Sequence, residues 1–259
     1  MRIYGHEPFT VAVVHGGPGA PGEMAPVARQ LATVTGVLEP LQTAATIEGQ
    51  VQELKDILEK HGDVPVTLIG FSWGAWLSFL VTAQYPALIK KLILISSGAY
   101  EEKYAVDIMK TRLSRLDPAE RREVLSLMET LNHHAIQNKN RLMARFGELM
   151  MKADSYHLLP HDTEVLEYQY DIFHRVGEQA EEMRSSGRLL RLGIGITCPV
   201  VAIHGDYDPH RAAGVKEPLA RTVKDFRFIL LEKCGHYPWW ERDVRDKFYG
   251  ILTSLLIIK

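Results

Sequence analysis

Apolar positions along the chain switch between two spacings. Short runs with little or no polar interruption occupy 9–15 (FTVAVVH), 66–69 (VTLI), 92–95 (LILI), 199–204 (PVVAIH) and 226–231 (FRFILL). Such runs predict strands buried on both faces, as in a parallel sheet covered by helices. A weaker strand is predicted at 32–38. Between the runs the spacing becomes helical: Met24, Val27, Ala28 and Leu31 share one face, as do Ile47, Val51, Leu54 and Leu58. Thr46 is placed as N-cap of the second helix, and His61-Gly62 stops it. AWLSFLVTAQY (75–85) predicts a helix directly after the strand at 66–69, and Val244, Phe248, Ile251 and Leu255 predict a closing one. The order β-α-β-α-β-α-β implies right-handed crossovers and a parallel sheet.

From 99 to 196 the alternation stops. Asp117-Pro118-Ala119-Glu120 combines an acidic N-cap, proline at the first helical position and glutamate at the third. Leu125, Met128 and Leu131 continue that helix, Leu142, Phe146, Leu149 and Met150 predict another, and 163–191 one or two more. The expected organisation is an α/β core of residues 1–98 and 197–259 with a helical cap, 99–196, inserted between strands.

The strand at 66–69 ends in Gly70-Phe71-Ser72-Trp73-Gly74, and a helix begins at once. Glycines at 70 and 74 remove the Cβ atoms that a turn this tight would bring into collision, so that Ser72 is held strained with its side chain pushed outward. His15-Gly16-Gly17-Pro18-Gly19 follows the first buried strand, Gly205-Asp206-Tyr207-Asp208-Pro209 a later one, and Cys234-Gly235-His236-Tyr237-Pro238 the last. Ligands of open α/β sheets bind outside the carboxyl ends of the strands, so these segments are expected at one edge. A serine hydroxyl needs a base, for which His236 is the candidate. The imidazole needs a carboxylate on its other nitrogen, for which Asp208 is chosen. The backbone N–H groups of Gly17 and Trp73 would hold an oxyanion.

Neighbouring residues have plainer readings. Asp206 is assigned to turn hydrogen bonds, and His15 to ordering the glycine loop. His210 is a rival base, but it shares a loop with the acid. Trp239 and Trp240 either wall the pocket or pack in the core, and Met143, Met150 and Met151 line the pocket or fill the cap. His133-His134 and His157…His161 lack a metal-ligand spacing. Cys198 and Cys234 fall at opposite ends of their strands, so no disulfide is expected.

The order Ser72…Asp208…His236, with HGGPG ahead of it, resembles the α/β-hydrolase superfamily. HGGPG together with G-F-S-W-G looks most like the proline iminopeptidase branch. The resemblance spans nearly the whole chain and implies a mostly parallel sheet with flanking helices and an inserted cap. It departs in three places. The first strands are reduced to MRIYG. The branch's D-x-R-G-x-G-x-S stretch is replaced by Glu39-Pro40-Leu41-Gln42-Thr43. No cap glutamate aligns with those that hold a substrate amine, and Glu101, Glu164, Glu167 and Glu178 read as solvated helix charges. Haloalkane dehalogenases and epoxide hydrolases share the fold but place aspartate where this chain has Ser72.

With 259 residues and a net charge of −2, the chain has no general attraction for nucleic acid or anionic membrane. Its N-terminus lacks the pattern of a signal peptide, and its apolar runs are too short for a membrane span. The expectation is a cytoplasmic serine hydrolase cleaving a small or medium, partly hydrophobic ester or amide through an acyl-enzyme. Neither metal nor organic cofactor is required, and the partner is a small-molecule or short-peptide substrate. The alternatives are a proline iminopeptidase-like exopeptidase, a carbon–carbon bond hydrolase, or a non-catalytic ligand-binding protein of the same fold.

Overall fold

The computed structural model describes residues 1–133 and 139–257. Seven strands form one sheet in the order β1-β3-β2-β4-β5-β6-β7. Six run parallel: β2 (Val11–Val14), β3 (Val37–Glu39), β4 (Val66–Phe71), β5 (Ile89–Ile95), β6 (Val200–Gly205) and β7 (Phe226–Leu231). The short β1 (Arg2–Tyr4) is antiparallel to β3. It is held there by Arg2, whose Nε and Nη2 donate to the buried Glu39 carboxylate at 2.7 and 3.0 Å, and by the Tyr4 hydroxyl at 2.8 Å. The Glu39 that replaces the family stretch therefore has a structural task.

Helices α1 (Ala25–Leu31), α2 (Ile47–His61) and α3 (Trp73–Gln84) alternate with the early strands. Among the described residues five more lie between β5 and β6: α4 (Ile108–Ser114), α5 (Pro118–Asn132), α6 (Asn140–Asp154), α7 (Tyr170–Ser185) and α8 (Arg188–Leu192). Helices α9 (Ala213–Thr222) and α10 (Arg245–Ile257) flank β7. The side-chain alternation of the strands splits the core in two. Ala12, Val14, Leu68, Leu92, Leu94 and Ala202 pack towards α2, α3 and α7. Val11, Val13, Ile69, Ile93, Ile95 and Ile203 pack towards α1 and α10.

The inserted helices are not one body. Leu116, Val124, Leu149, Met150 and Ala153 give α4–α6 a small core of their own. Ile172, Val176, Ala180 and Met183 of α7 join the main core against α2 and α3. Both predicted caps form: the Thr46 side chain accepts the Gly49 N–H at 3.1 Å, and Asp117 and Glu120 make the reciprocal capping box. The predicted strand at 32–38 is shortened to Val37–Glu39, because the N–H groups of Thr33, Val34 and Thr35 turn back onto Gln30 and Leu31 carbonyls at the end of α1. Helices α4 and α9 had no clear periodic signal; α9 carries Gly214 and Pro218 inside it. No helix among the described residues is long and apolar enough to cross a membrane. Both cysteines are free.

Candidate active site

Ser72 joins β4 to α3 at φ 51°, ψ −115°, a conformation that costs a non-glycine residue about 1–3 kcal/mol and persists only when its surroundings enforce it. Two glycines enforce it here. A Cβ on Gly70 would fall within 3.0 Å of the Gly74 carbonyl, and one on Gly74 equally close to the carbonyls of Val14 and His15. The Ser72 N–H donates to the Ile95 carbonyl at 3.0 Å, anchoring the turn to the end of β5.

His236 lies beyond the end of β7. Its backbone N–H donates to the Asp154 carbonyl at 2.8 Å, so the end of α6 sets its position. Its Nδ1 donates to Asp208 Oδ2 at 2.7 Å, while Asp208 Oδ1 accepts the His210 N–H at 2.9 Å. Nε2 of His236, on the other side of the ring, has no partner among the described residues. Burial disfavours the imidazolium, but the field and hydrogen bond of Asp208 outweigh it, and the His236 pKa rises above the ordinary 6.5. Burial likewise pushes Asp208 up, yet His236 and His204 hold it far below the ordinary carboxylate value.

Ser72 and His236 line one cavity of about 280 Å³. In this structure the Ser72 hydroxyl is not hydrogen-bonded to His236; the two share the cavity wall. A second cavity of about 210 Å³ is lined by Trp73, Trp76 and Gly98, and meets the first at Gly17, Ser72, Phe173 and His210. Neither the Gly17 nor the Trp73 N–H has an acceptor among the described residues. Gly17 lines both cavities beside Ser72, and Trp73 lines the smaller.

The remaining sequence expectations divide. His15 orders the glycine loop: its Nε2 accepts the Gln42 N–H at 3.3 Å, leaving the Nδ1 proton for the Gly16 carbonyl at 2.8 Å. Burial lowers its pKa to about 4, so it stays neutral. Asp206 accepts the Cys234 N–H at 3.2 Å, a turn role. Trp239 and Trp240 pack in the α10-side core rather than lining either cavity. Met143 and Met150 line the larger cavity, and Met151 packs on the core. His133 is exposed at the end of α5, and His134 lies outside the described residues. His157 pairs with Asp243 at 3.1 Å and His161 stacks on Trp240. None of Glu101, Glu164, Glu167 and Glu178 lines either cavity.

Four residues of the larger cavity escaped sequence reasoning in this role. His210, read as a rival base, stacks on His236 with ring centroids 5.0 Å apart and is held neutral by burial, against the pull of Asp208. Arg112 of α4 is gripped bidentately by Asp154 of α6, with Nε–Oδ1 at 2.8 Å and Nη2–Oδ2 at 2.6 Å, and its Nη2 reaches His210 Nε2 at 3.4 Å. Glu23, 5% exposed, accepts the Gly16 N–H at 3.2 Å, and burial lifts its pKa to about 7. Asp208, His210 and His236 offer ligand atoms within 4.8 Å of one another. The Asp208–His236 hydrogen bond already occupies part of that set.

A family model described as the alpha/beta hydrolase fold matches residues 18–243. Among curated proteins, epoxide hydrolase 4 of Mus musculus is 23% identical over 236 residues, 83% of this chain and 60% of that protein. The chain therefore spans less than two thirds of that relative's length. The proline iminopeptidase of Thermoplasma volcanium is 23% identical over 226 residues, 84% of this chain and 74% of that protein. Among solved structures, that of VinJ superposes with a TM-score of 0.67 at 18% identity, over 98% of this chain and 93% of the other, a likeness of fold. With the match running from the glycine loop to the start of the last helix, the chain belongs to the alpha/beta hydrolase fold family.

Proposed function

We propose that the protein is a serine hydrolase acting on a carbonyl ester or amide of small or medium size, with residues 99–196 as a cap over the site. The observation that carries this reading is Ser72, strained at the strand–helix turn and sharing a cavity wall with the free Nε2 side of an imidazole paired to Asp208. His236 Nε2 takes the Ser72 proton as Oγ bonds to the acyl carbon, and the carbonyl electron pair moves onto oxygen between the Gly17 and Trp73 N–H groups. Collapse breaks the bond to the leaving oxygen or nitrogen, which takes the proton from His236. Water then adds to the acyl-serine with His236 again as base, releasing the acid and restoring Ser72.

One relative is named an epoxide hydrolase, but the residue at the turn is serine, which suits acyl transfer rather than the aspartate chemistry of that class. The other is named a proline iminopeptidase, and an exopeptidase is the second reading. A fluorophosphonate probe should label the native protein at Ser72, and Ser72→Ala should abolish both labelling and turnover, the latter by on the order of 10⁶. Activity on p-nitrophenyl esters against proline arylamides separates the two readings. An unlabelled native protein that still binds small ligands in the cavity would replace both with a non-catalytic receptor.

A further inference from the structure

The two cavities are unequal in chemistry as well as in shape. A leaving group must be within reach of the proton on His236, and His236 lines the larger cavity and not the smaller. The carbonyl oxygen must reach the Trp73 N–H, and Trp73 lines the smaller cavity and not the larger. Resting on the assignment of Ser72 and His236 above, the acyl half therefore belongs between Trp73 and Trp76, and the departing half in the larger cavity.

That larger cavity holds one unbalanced charge. Arg112 is neutralised by Asp154, His236 is paired with Asp208, and His210 is neutral. Glu23 makes no ion pair among the described residues, and His236, already paired with Asp208, is the one charge whose field reaches it. Its Oε2 accepts the Gly16 N–H, and the carboxyl lines the cavity. Rings of Phe71, Phe146, Tyr168, Phe173 and Tyr237 line the same space. A carboxylate among aromatic faces is the chemistry that recognises an ammonium group. We infer that Glu23 selects a substrate whose departing alcohol or amine carries a cationic ammonium group. This places the cation on the opposite side of the scissile bond from the free amine of an aminopeptidase substrate.

Three esters test it by calorimetric binding to the Ser72→Ala protein, which cannot turn them over: 3-phenylpropanoylcholine, its carbon isostere 3,3-dimethylbutyl 3-phenylpropanoate, and N,N,N-trimethylphenylalanine 3,3-dimethylbutyl ester, the phenylalanine ester whose permanent ammonium sits on the acyl half. At pH 8 the choline ester should bind about tenfold or more tightly than its isostere, and adding Glu23→Gln should bring the two within about twofold. The phenylalanine ester should lose nothing comparable on that change. In the Ser72→Ala background alone the choline preference should also shrink from pH 8 to pH 6, as Glu23 takes up its proton. His236 protonates over an overlapping range and repels the cation in the same sense, whereas burial pushes Tyr168 and Tyr237 up, away from it. The Glu23→Gln protein retains His236, so the part of the pH effect that it abolishes belongs to Glu23. Equal binding of choline ester and isostere, a preference that survives Glu23→Gln, or a Glu23-dependent gain confined to the phenylalanine ester would each overturn the inference. Fluorophosphonate labelling of wild-type Ser72 reports separately: labelling without the choline preference sinks this inference alone, and the preference without labelling sinks the hydrolase reading while leaving a cation-binding cavity.

Discussion

Replacing Glu23 by glutamine exchanges a buried carboxyl for a neutral amide of nearly the same shape. The amide oxygen can still accept the Gly16 N–H, so the comparison isolates charge. In the folded protein burial is the largest influence on Glu23 and raises its pKa from the ordinary 4.5 to about 7, against the lowering fields of His236 and the Gly16 N–H. The folded state therefore holds a proton that the unfolded chain releases between those values, and stability falls as pH rises from below 4.5 through 7. Integrated over the two titrations, the carboxyl costs about 1 kcal/mol at pH 5 and about 3 kcal/mol at pH 8. Glutamine carries none of this cost. Urea unfolding of both proteins should show the variant gaining on the wild type by about 2–3 kcal/mol between pH 5 and pH 8, with unchanged m-values. The other titrating groups are common to the pair, and only those whose fields reach Glu23, His236 above all, enter the difference. A stability gap of the same size at both pH values would mean that Glu23 is well solvated, and the burial argument would be wrong.

Asp208→Asn should leave the fold intact and lower kcat by about 10⁴, since the amide favours the wrong imidazole tautomer. In the wild type, kcat/KM should rise with pH through an apparent value above 6.5, because His236 is a base only when neutral and Asp208 raises its pKa; a profile flat from pH 5 to 9 would remove His236 from the chemistry. Gly74→Ala drives a methyl into the carbonyls of Val14 and His15 and should cost about 1–3 kcal/mol or more, seen as a lower urea midpoint with loss of fluorophosphonate labelling. Glu241→Gln removes one acceptor from a buried carboxylate that takes the N–H groups of Gly235, Tyr156 and His157. It should cost about 1–3 kcal/mol and reduce kcat without moving the apparent pKa.

What could be read from the residues was whatever a few consecutive positions determine. A buried run ending in glycines announces both a strand and the loop at its carboxyl end, so Ser72, Gly17, Asp208 and His236 were each marked locally. The parallel order then carried them to one edge. Glu23, Arg112 and Asp154 carry no such mark. Glu23 stands just before α1, well past the end of β2 and outside the glycine run, and Phe71 and Tyr168, which line the cavity with it, arrive from elsewhere in the chain. Arg112 and Asp154 meet across 42 positions only because α4 crosses the end of α6. The acid at Glu23 did have one available signal, a carboxylate among GAPGEMAP where neighbouring positions are small or apolar.

The helices between β5 and β6 are tied to the loops that carry Asp208 and His236, and this limits how they can move. The last residue of α6, Asp154, holds the His236 N–H through its carbonyl and Arg112 through its side chain, while Arg115 donates to the carbonyls of Ala153 and Tyr207 at 3.0 and 2.8 Å. The loops bearing Asp208 and His236 are thus tied to α4 and to the end of α6 by hydrogen bonds that a rigid swing of the whole insertion would break. Helix α7 is fixed as well, because Ile172, Val176 and Ala180 belong to the core shared with α2 and α3. That helix in turn holds the end of α5 and the start of α6: the Tyr170 hydroxyl donates to the Leu131 carbonyl at 2.7 Å, its N–H to Asn140 Oδ1 at 3.0 Å, and Leu131, Met143 and Tyr170 share one small apolar cluster. An opening that preserves the Asp208–His236 pair therefore cannot be a rigid swing of the insertion as a whole.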